Sequence, residues 1–87
     1  MRSIVITIQN EQGIHARPAA DFCETAMTFQ SKITIRRQEE EQRFEAKSIL
    51  SVLSLGAVKG DTIILSADGE DEADAIHALE GVLKQAV

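Results

Sequence analysis

Residues 13–19 read Gly13-Ile14-His15-Ala16-Arg17-Pro18-Ala19, so a histidine, an arginine and a proline stand where an apolar helical repeat begins. That grouping suits the handling of phosphate. The N–H groups of a first helical turn lack intrahelical acceptors and carry the positive end of the helix dipole. The backbone of Ala16 and Arg17 is therefore expected to hold an anion without a metal. His15 is the candidate to carry that anion covalently, and Arg17, a permanently charged planar fork, is the candidate to clamp its oxygens. Phosphoryl acceptance needs a neutral imidazole with a free lone pair. A helix N-terminus disfavours the protonated ring and favours the anionic phospho form, so one field assists both states. The ring nitrogen is also a competent leaving group, which suits relay rather than storage. Taken singly, His15 reads as a polar neighbour of a helix cap and Arg17 as a solvated charge; their spacing is what points to chemistry.

The elements that must position these residues follow from hydrophobic periodicity. Ile4, Ile6 and Ile8 alternate with Ser3, Val5 and Thr7, the period-two pattern of a strand with one buried face. Ala16, Ala19, Ala20, Cys23, Ala26 and Met27 then recur at helical spacing with Phe22 beside the stripe, and Pro18 is early enough to be tolerated. Ile33 and Ile35 mark a second strand and Arg43 to Ala46 a third, with Gln38-Glu39-Glu40-Glu41-Gln42 turning the hairpin between them. Ser48 to Gly56 forms a short apolar helix, with Ser48 as its N-cap and Gly56 as its stop. Thr62 to Ala67 supplies a fourth strand. A last helix opens on Glu70, Asp71 and Glu72 and buries Ala73, Ile76, Leu79, Val82 and Leu83. The order βαββαβα predicts an α+β two-layer open-faced sandwich, in which helices cover one face of a four-stranded antiparallel sheet and the other face meets solvent.

Eighty-seven residues predict one domain, 1–87, with a thin core. With no Trp or Tyr and only three Phe, aliphatic packing must supply most of its stabilisation. A net charge of −5 argues against an electrostatic grip on nucleic acid. No apolar run approaches the length of a membrane span, and Met1-Arg2-Ser3 leads straight into a strand pattern, so a cytoplasmic protein is expected. The single Cys23 sits among apolar helix positions and reads as a buried reduced thiol. His77 falls off the apolar stripe of the last helix, and one Cys with two distant His gives no zinc spacing.

Ser48 also invites regulation. A phosphate there would gain from the helix N-terminus while placing charge beside Ile49, Leu50 and Leu53. Five apolar residues, Ile49, Leu50, Val52, Leu53 and Leu55, surround much of this short helix. They exceed what one buried stripe requires, so one or two of them are expected to face outward as a docking patch.

Over essentially its whole length the chain resembles the HPr family, the histidine-containing phosphocarriers of the bacterial phosphoenolpyruvate:sugar phosphotransferase system. The resemblance rests on Gly13 to Ala19, on Lys47-Ser48-Ile49-Leu50, on Ser54-Leu55-Gly56 with Lys59-Gly60, and on Ser66 to Glu72. It implies sheet order 1-4-2-3, phosphorylation of His15 on Nδ1 by phospho-enzyme I with Arg17 assisting, and transfer to sugar-specific EIIA domains. Ala20 on the first helix, with Ile49, Leu50 and Leu53 on the second, would dock these partners. It further implies, for members of the Gram-positive type, phosphorylation of Ser48 by HPr kinase/phosphorylase and binding to the catabolite repressor CcpA. No cofactor is implied, and a carrier meeting several partners through one face suits a monomer rather than a turnover enzyme. The alternative is a mainly regulatory protein, either a phospho-Ser48 corepressor or part of a nitrogen-related phosphotransfer branch. The interval from His15 to Ser48 is longer than in typical members, which Glu39 to Glu41 accounts for by lengthening the hairpin, and Gln12 stands where a shorter Asn, Ser or Thr is commoner.

Overall fold

A computed structural model of the chain describes residues 1–9 and 16–86, with 16, 17 and 84–86 described in backbone only. Its elements are β1 (Arg2–Thr7), α1 (Ala16–Met27), β2 (Lys32–Arg37), β3 (Phe44–Glu45), α2 (Ile49–Leu55), β4 (Thr62–Asp68) and α3 (Glu72–Ala86). The strands form one antiparallel sheet in the order β1-β4-β2-β3, and the three helices cover one of its faces. The expected fold class and strand order both stand.

Register shows why this pattern folds this way. Leu65 on β4 lies between Ile4 and Ile35, and Ile63 lies beside Ile6, so alternate residues of three strands meet under the helices. Ile33, Ile35, Ile63 and Leu65 are fully buried there with Phe22 of α1, Leu55 of α2 and Leu79 and Leu83 of α3. The intervening residues form the open face, where the Ser3 and Ser66 hydroxyls hydrogen-bond at 2.9 Å and Val5 is exposed. β1 is an edge strand, so Ile4 and Ile6 are only half-buried, whereas Ile8 just beyond it is enclosed.

Four expectations need correction, three of them about burial. Met27 ends α1 in solvent at 63% exposure, and Phe22, taken as flanking the stripe, is its centre. On α3 the buried alanine is Ala75 rather than Ala73, because the helix begins at Glu72 and its inward face starts one turn later. The third strand is two residues long instead of four, although the Ala46 N–H continues the ladder to the Ile33 carbonyl at 3.1 Å.

Asp71, read from sequence as a charge favouring its helix dipole, has a different task. Its carboxylate accepts hydrogen bonds from the Gln30 N–H at 2.8 Å, the Ser31 N–H at 2.9 Å and the Ser31 hydroxyl, tying the α1–β2 turn to the start of α3. The packing is close: a Cβ on Gly69 would lie 2.7 Å from Ser31 Cα, which only glycine avoids. The Ser31 hydroxyl, then the Gln30 N–H, hold the Asp71 carboxyl below its ordinary range. A carboxyl depressed in the folded state contributes stability above its unfolded pKa of about 3.9 and loses it as pH falls through the folded value. Asp71→Asn should therefore lower the urea midpoint at neutral pH. The gap to the parent should close in acid, as midpoints measured across the acid range will show.

Candidate functional site

The site is built from the start of α1 and the whole of α2. α1 begins at Ala16, immediately after His15 in sequence, so the Ala16 and Arg17 backbone opens the helix as expected. Pro18 lies in the first turn and is buried, where its missing N–H costs no helical bond. His15 itself lies outside the described residues, as does the side chain of Arg17.

α2 is held at both ends. Ser48 has extended backbone angles and its hydroxyl accepts the Ser51 N–H at 3.3 Å, making it the N-cap. At the other end Gly56 adopts a left-handed conformation, φ 64° and ψ 33°, and donates its N–H to the Leu53 carbonyl at 3.1 Å. Two cations to which the sequence reading gave no structural role complete the fixing. Arg37 leaves the end of β2 to donate to the Gly56 carbonyl at 2.8 Å and to Asp61 at 3.3 Å. The Lys47 ammonium donates to the Phe29 carbonyl at 2.8 Å, joining the residue before Ser48 to the turn that ends α1. Neither contact has a local sequence signature, since each spans 18 or more residues.

With its ends fixed, α2 divides its apolar residues cleanly. Val52 and Leu55 are buried, while Ile49, Leu50 and Leu53 are exposed by 40%, 74% and 38%. Two inward positions suffice to seat a seven-residue helix, and three others are left for solvent. The outward patch has three residues where the apolar count alone predicted one or two, and they are the three that the family resemblance names. Ala20, half-buried on α1, and Ile49 line one shallow groove of about 210 Å³ between α1 and α2, together with Cys23, Glu24, Met27 and Lys47. Leu50 and Leu53 are exposed on α2 but do not line that groove. Met27, Glu24 and Lys47 are the members that sequence reasoning did not assign to the surface.

The remaining chemistry-bearing residues fall as follows. Cys23 is buried, and desolvation pushes its thiol pKa up, favouring the protonated form. His77 faces solvent on α3. Among the described residues no group of three His, Cys, Asp or Glu side chains is placed to hold a metal ion. No helix among them is long and apolar enough to cross a membrane.

This arrangement has close relatives. Residues 3–85 match the family described as "PTS HPr component phosphorylation site". The phosphocarrier protein HPr of Haloferax volcanii is 38% identical over 78 residues, covering 90% of this chain and 88% of that protein. Among solved structures, HPr-C-His from Thermoanaerobacter tengcongensis is 42% identical with a TM-score of 0.88, covering 97% of this chain and 92% of that one. The histidine-containing phosphocarrier protein of a mycoplasma superposes with a TM-score of 0.92 at 32% identity, over 98% and 94% of the two chains. A sheet in the order β1-β4-β2-β3, a helix opening right after His15 and sequence agreement over nearly the full chain all lead to one family: the chain belongs to the HPr phosphocarriers of the phosphotransferase system.

Proposed function

We propose that this chain accepts a phosphoryl group from phospho-enzyme I on His15 and passes it to EIIA domains of sugar permeases, acting as a cytoplasmic, monomeric, single-domain carrier rather than a turnover enzyme. The observation that carries this reading is the start of α1 at Ala16 within a family match that includes His15 and Arg17. The first N–H groups of α1 would face the phosphoryl oxygens, Arg17 would neutralise them in both directions of transfer, and Ala20, Ile49, Leu50 and Leu53 would seat the partner beside them. Incubating the protein with phosphoenolpyruvate and enzyme I, then recording intact mass and the acid lability of the adduct, tests it. One acid-labile phosphoryl group is expected. No uptake, with enzyme I active on a second carrier, would sink the reading.

A regulatory role at Ser48 is supported by its position. The Ser48 hydroxyl caps α2 and lies next to exposed Ile49 and Leu50, so a phosphate there would keep favourable contact with the helix N-terminus while charging the docking patch. HPr kinase/phosphorylase and CcpA are the partners that this role would involve. Ser48→Asp should slow labelling of His15 by enzyme I while the far-UV circular dichroism is retained; equal rates would remove this role.

A further inference from the structure

β1 leaves one edge of the sheet open. The Ile8 N–H donates to the Asp61 carbonyl at 2.8 Å and the Gly60 N–H to the Ile8 carbonyl at 2.8 Å, so the backbone of Ile8 points towards β4. The register of β1 on β4 is unbroken from Arg2 to Thr7. Alternation therefore turns the backbone of Ile4 and Ile6 towards β4 and that of Ser3, Val5 and Thr7 outward. The hydroxyl contacts of Ser3 with Ser66 at 2.9 Å and of Thr7 with Thr62 at 3.2 Å agree, since side chains come closest across pairs that exchange no backbone bond. Among the described residues nothing takes up the outward N–H and C=O groups of Ser3, Val5 and Thr7. Natural edges are usually blunted by shortness, charge, proline or a bulge. β3, the opposite edge, is two residues long, whereas Ser3-Ile4-Val5-Ile6-Thr7 carries none of these devices.

We infer that β1 pairs antiparallel with β1 of a second copy of this chain, about a two-fold axis at Val5. The strand is self-complementary in that register. Val5 meets Val5 and Ser3 meets Thr7 on the open face, and every outward backbone group finds an outward partner, so each of these pairs exchanges both of its N–H···O bonds. On the helix side Ile4 meets Ile6, which encloses the two isoleucines that the single chain leaves half-buried. Neighbouring registers do worse. Moving the axis to Ile4 sets Arg2 against Ile6, and moving it to Ile6 sets Ile4 against Ile8, which is already enclosed at 1% exposure. The contact uses the same edge in both copies, so it closes at two chains. α2 packs on β2 and β3, away from β1, and its outward patch stays open in the pair. A contact of one short strand per copy is smaller than a stable interface requires, so the pair is reversible and belongs to concentrated protein. It goes beyond the carrier reading, whose unit remains the single chain in dilute solution.

Sedimentation equilibrium of the full chain from micromolar to millimolar protein, with no enzyme I present, is the test. The apparent mass should rise from that of one chain towards that of two. Val5→Lys, which sets like charges opposite each other at the axis, should stay at the mass of one chain throughout, while Val5→Thr, still β-branched, should associate as the parent does. Val5→Cys should cross-link under mild oxidation, since residues of such a pair face each other with Cα atoms about 5.5 Å apart, within reach of a disulfide. Val58→Cys, at 55% exposure against 58% for Val5, should not cross-link. A parent that stays at one chain's mass up to its solubility, association of Val5→Lys, or equal cross-linking by Val58→Cys would overturn the inference. So would dimers that trade labelled chains only over hours, the mark of exchanged strands rather than paired edges. None of these results bears on the carrier reading, and its failure in the enzyme I assay would leave the pair standing.

Discussion

Replacing His15 by alanine is expected to abolish phosphoenolpyruvate-dependent labelling completely, with no shift in intact mass after prolonged incubation with enzyme I. On the proposed role the effect should be all or none, because the phosphoryl group would bond to the imidazole and an alanine side chain offers no nucleophile. The chain has one other histidine, His77, on the exposed face of α3, so His77→Ala should label normally. Arg17→Ala should keep the acceptor and lose the clamp, labelling roughly a hundredfold more slowly with the same final stoichiometry, the scale seen when one charge-stabilising donor is removed from a transfer site. Neither residue is one of the apolar positions that form the helical stripe, so the thermal unfolding midpoints should stay close to the parent's. Labelling of the His15→Ala protein at the normal rate would move the acceptor elsewhere.

Why the fold could be read so far from sequence, and no further, comes down to which interactions are local. Ile33, Ile35, Ile63 and Leu65 announce their strands by alternation. Ser48 and Gly56 announce both ends of α2 because caps act within one turn of the chain. Strand order was not contained in those patterns; it came from the family resemblance. What periodicity could not supply is the division of labour between residues of equal hydrophobicity. Met27 and Phe22 both fit a helical stripe, and only the packing of α1 against α2 and α3 sends one into solvent and the other to the centre. The Asp71, Arg37 and Lys47 contacts cross long sequence separations, so a charged residue that looks solvated in the sequence becomes a fixed strut in the structure. The candidate site divides in the same way. Its proposed reacting residues, His15 and Arg17, are marked by their spacing, whereas Glu24 and Lys47 come together only through the approach of α1 to α2.

Phe22→Ala carries the largest expected cost in stability. Phe22 is fully buried on α1 and is the one fully enclosed aromatic among the described residues, in a core otherwise made of aliphatic side chains and alanines. Neighbours of that kind are short and already close-packed, so they cannot collapse far into the space a phenyl ring leaves. The expected loss is about 3–5 kcal/mol. Set against a total of roughly 5–15 kcal/mol for a native domain, this is enough to lower Tm by on the order of 20 °C. The chain has no Trp or Tyr, so far-UV circular dichroism is the natural monitor of the transition. Phe22→Leu, which refills most of the volume, should recover the larger part of the loss. Phe22 belongs to the core cluster that α1 shares with α2 and α3, and α1 carries both the candidate phosphate-binding turn and the Glu24 wall of the groove. At temperatures where Phe22→Ala remains folded, its labelling rate should therefore fall as well, through loosened placement of those groups rather than through any change in the reacting residues. A parent-like rate in the folded variant would mean that α1 is held in place by α2 and the sheet without this side chain.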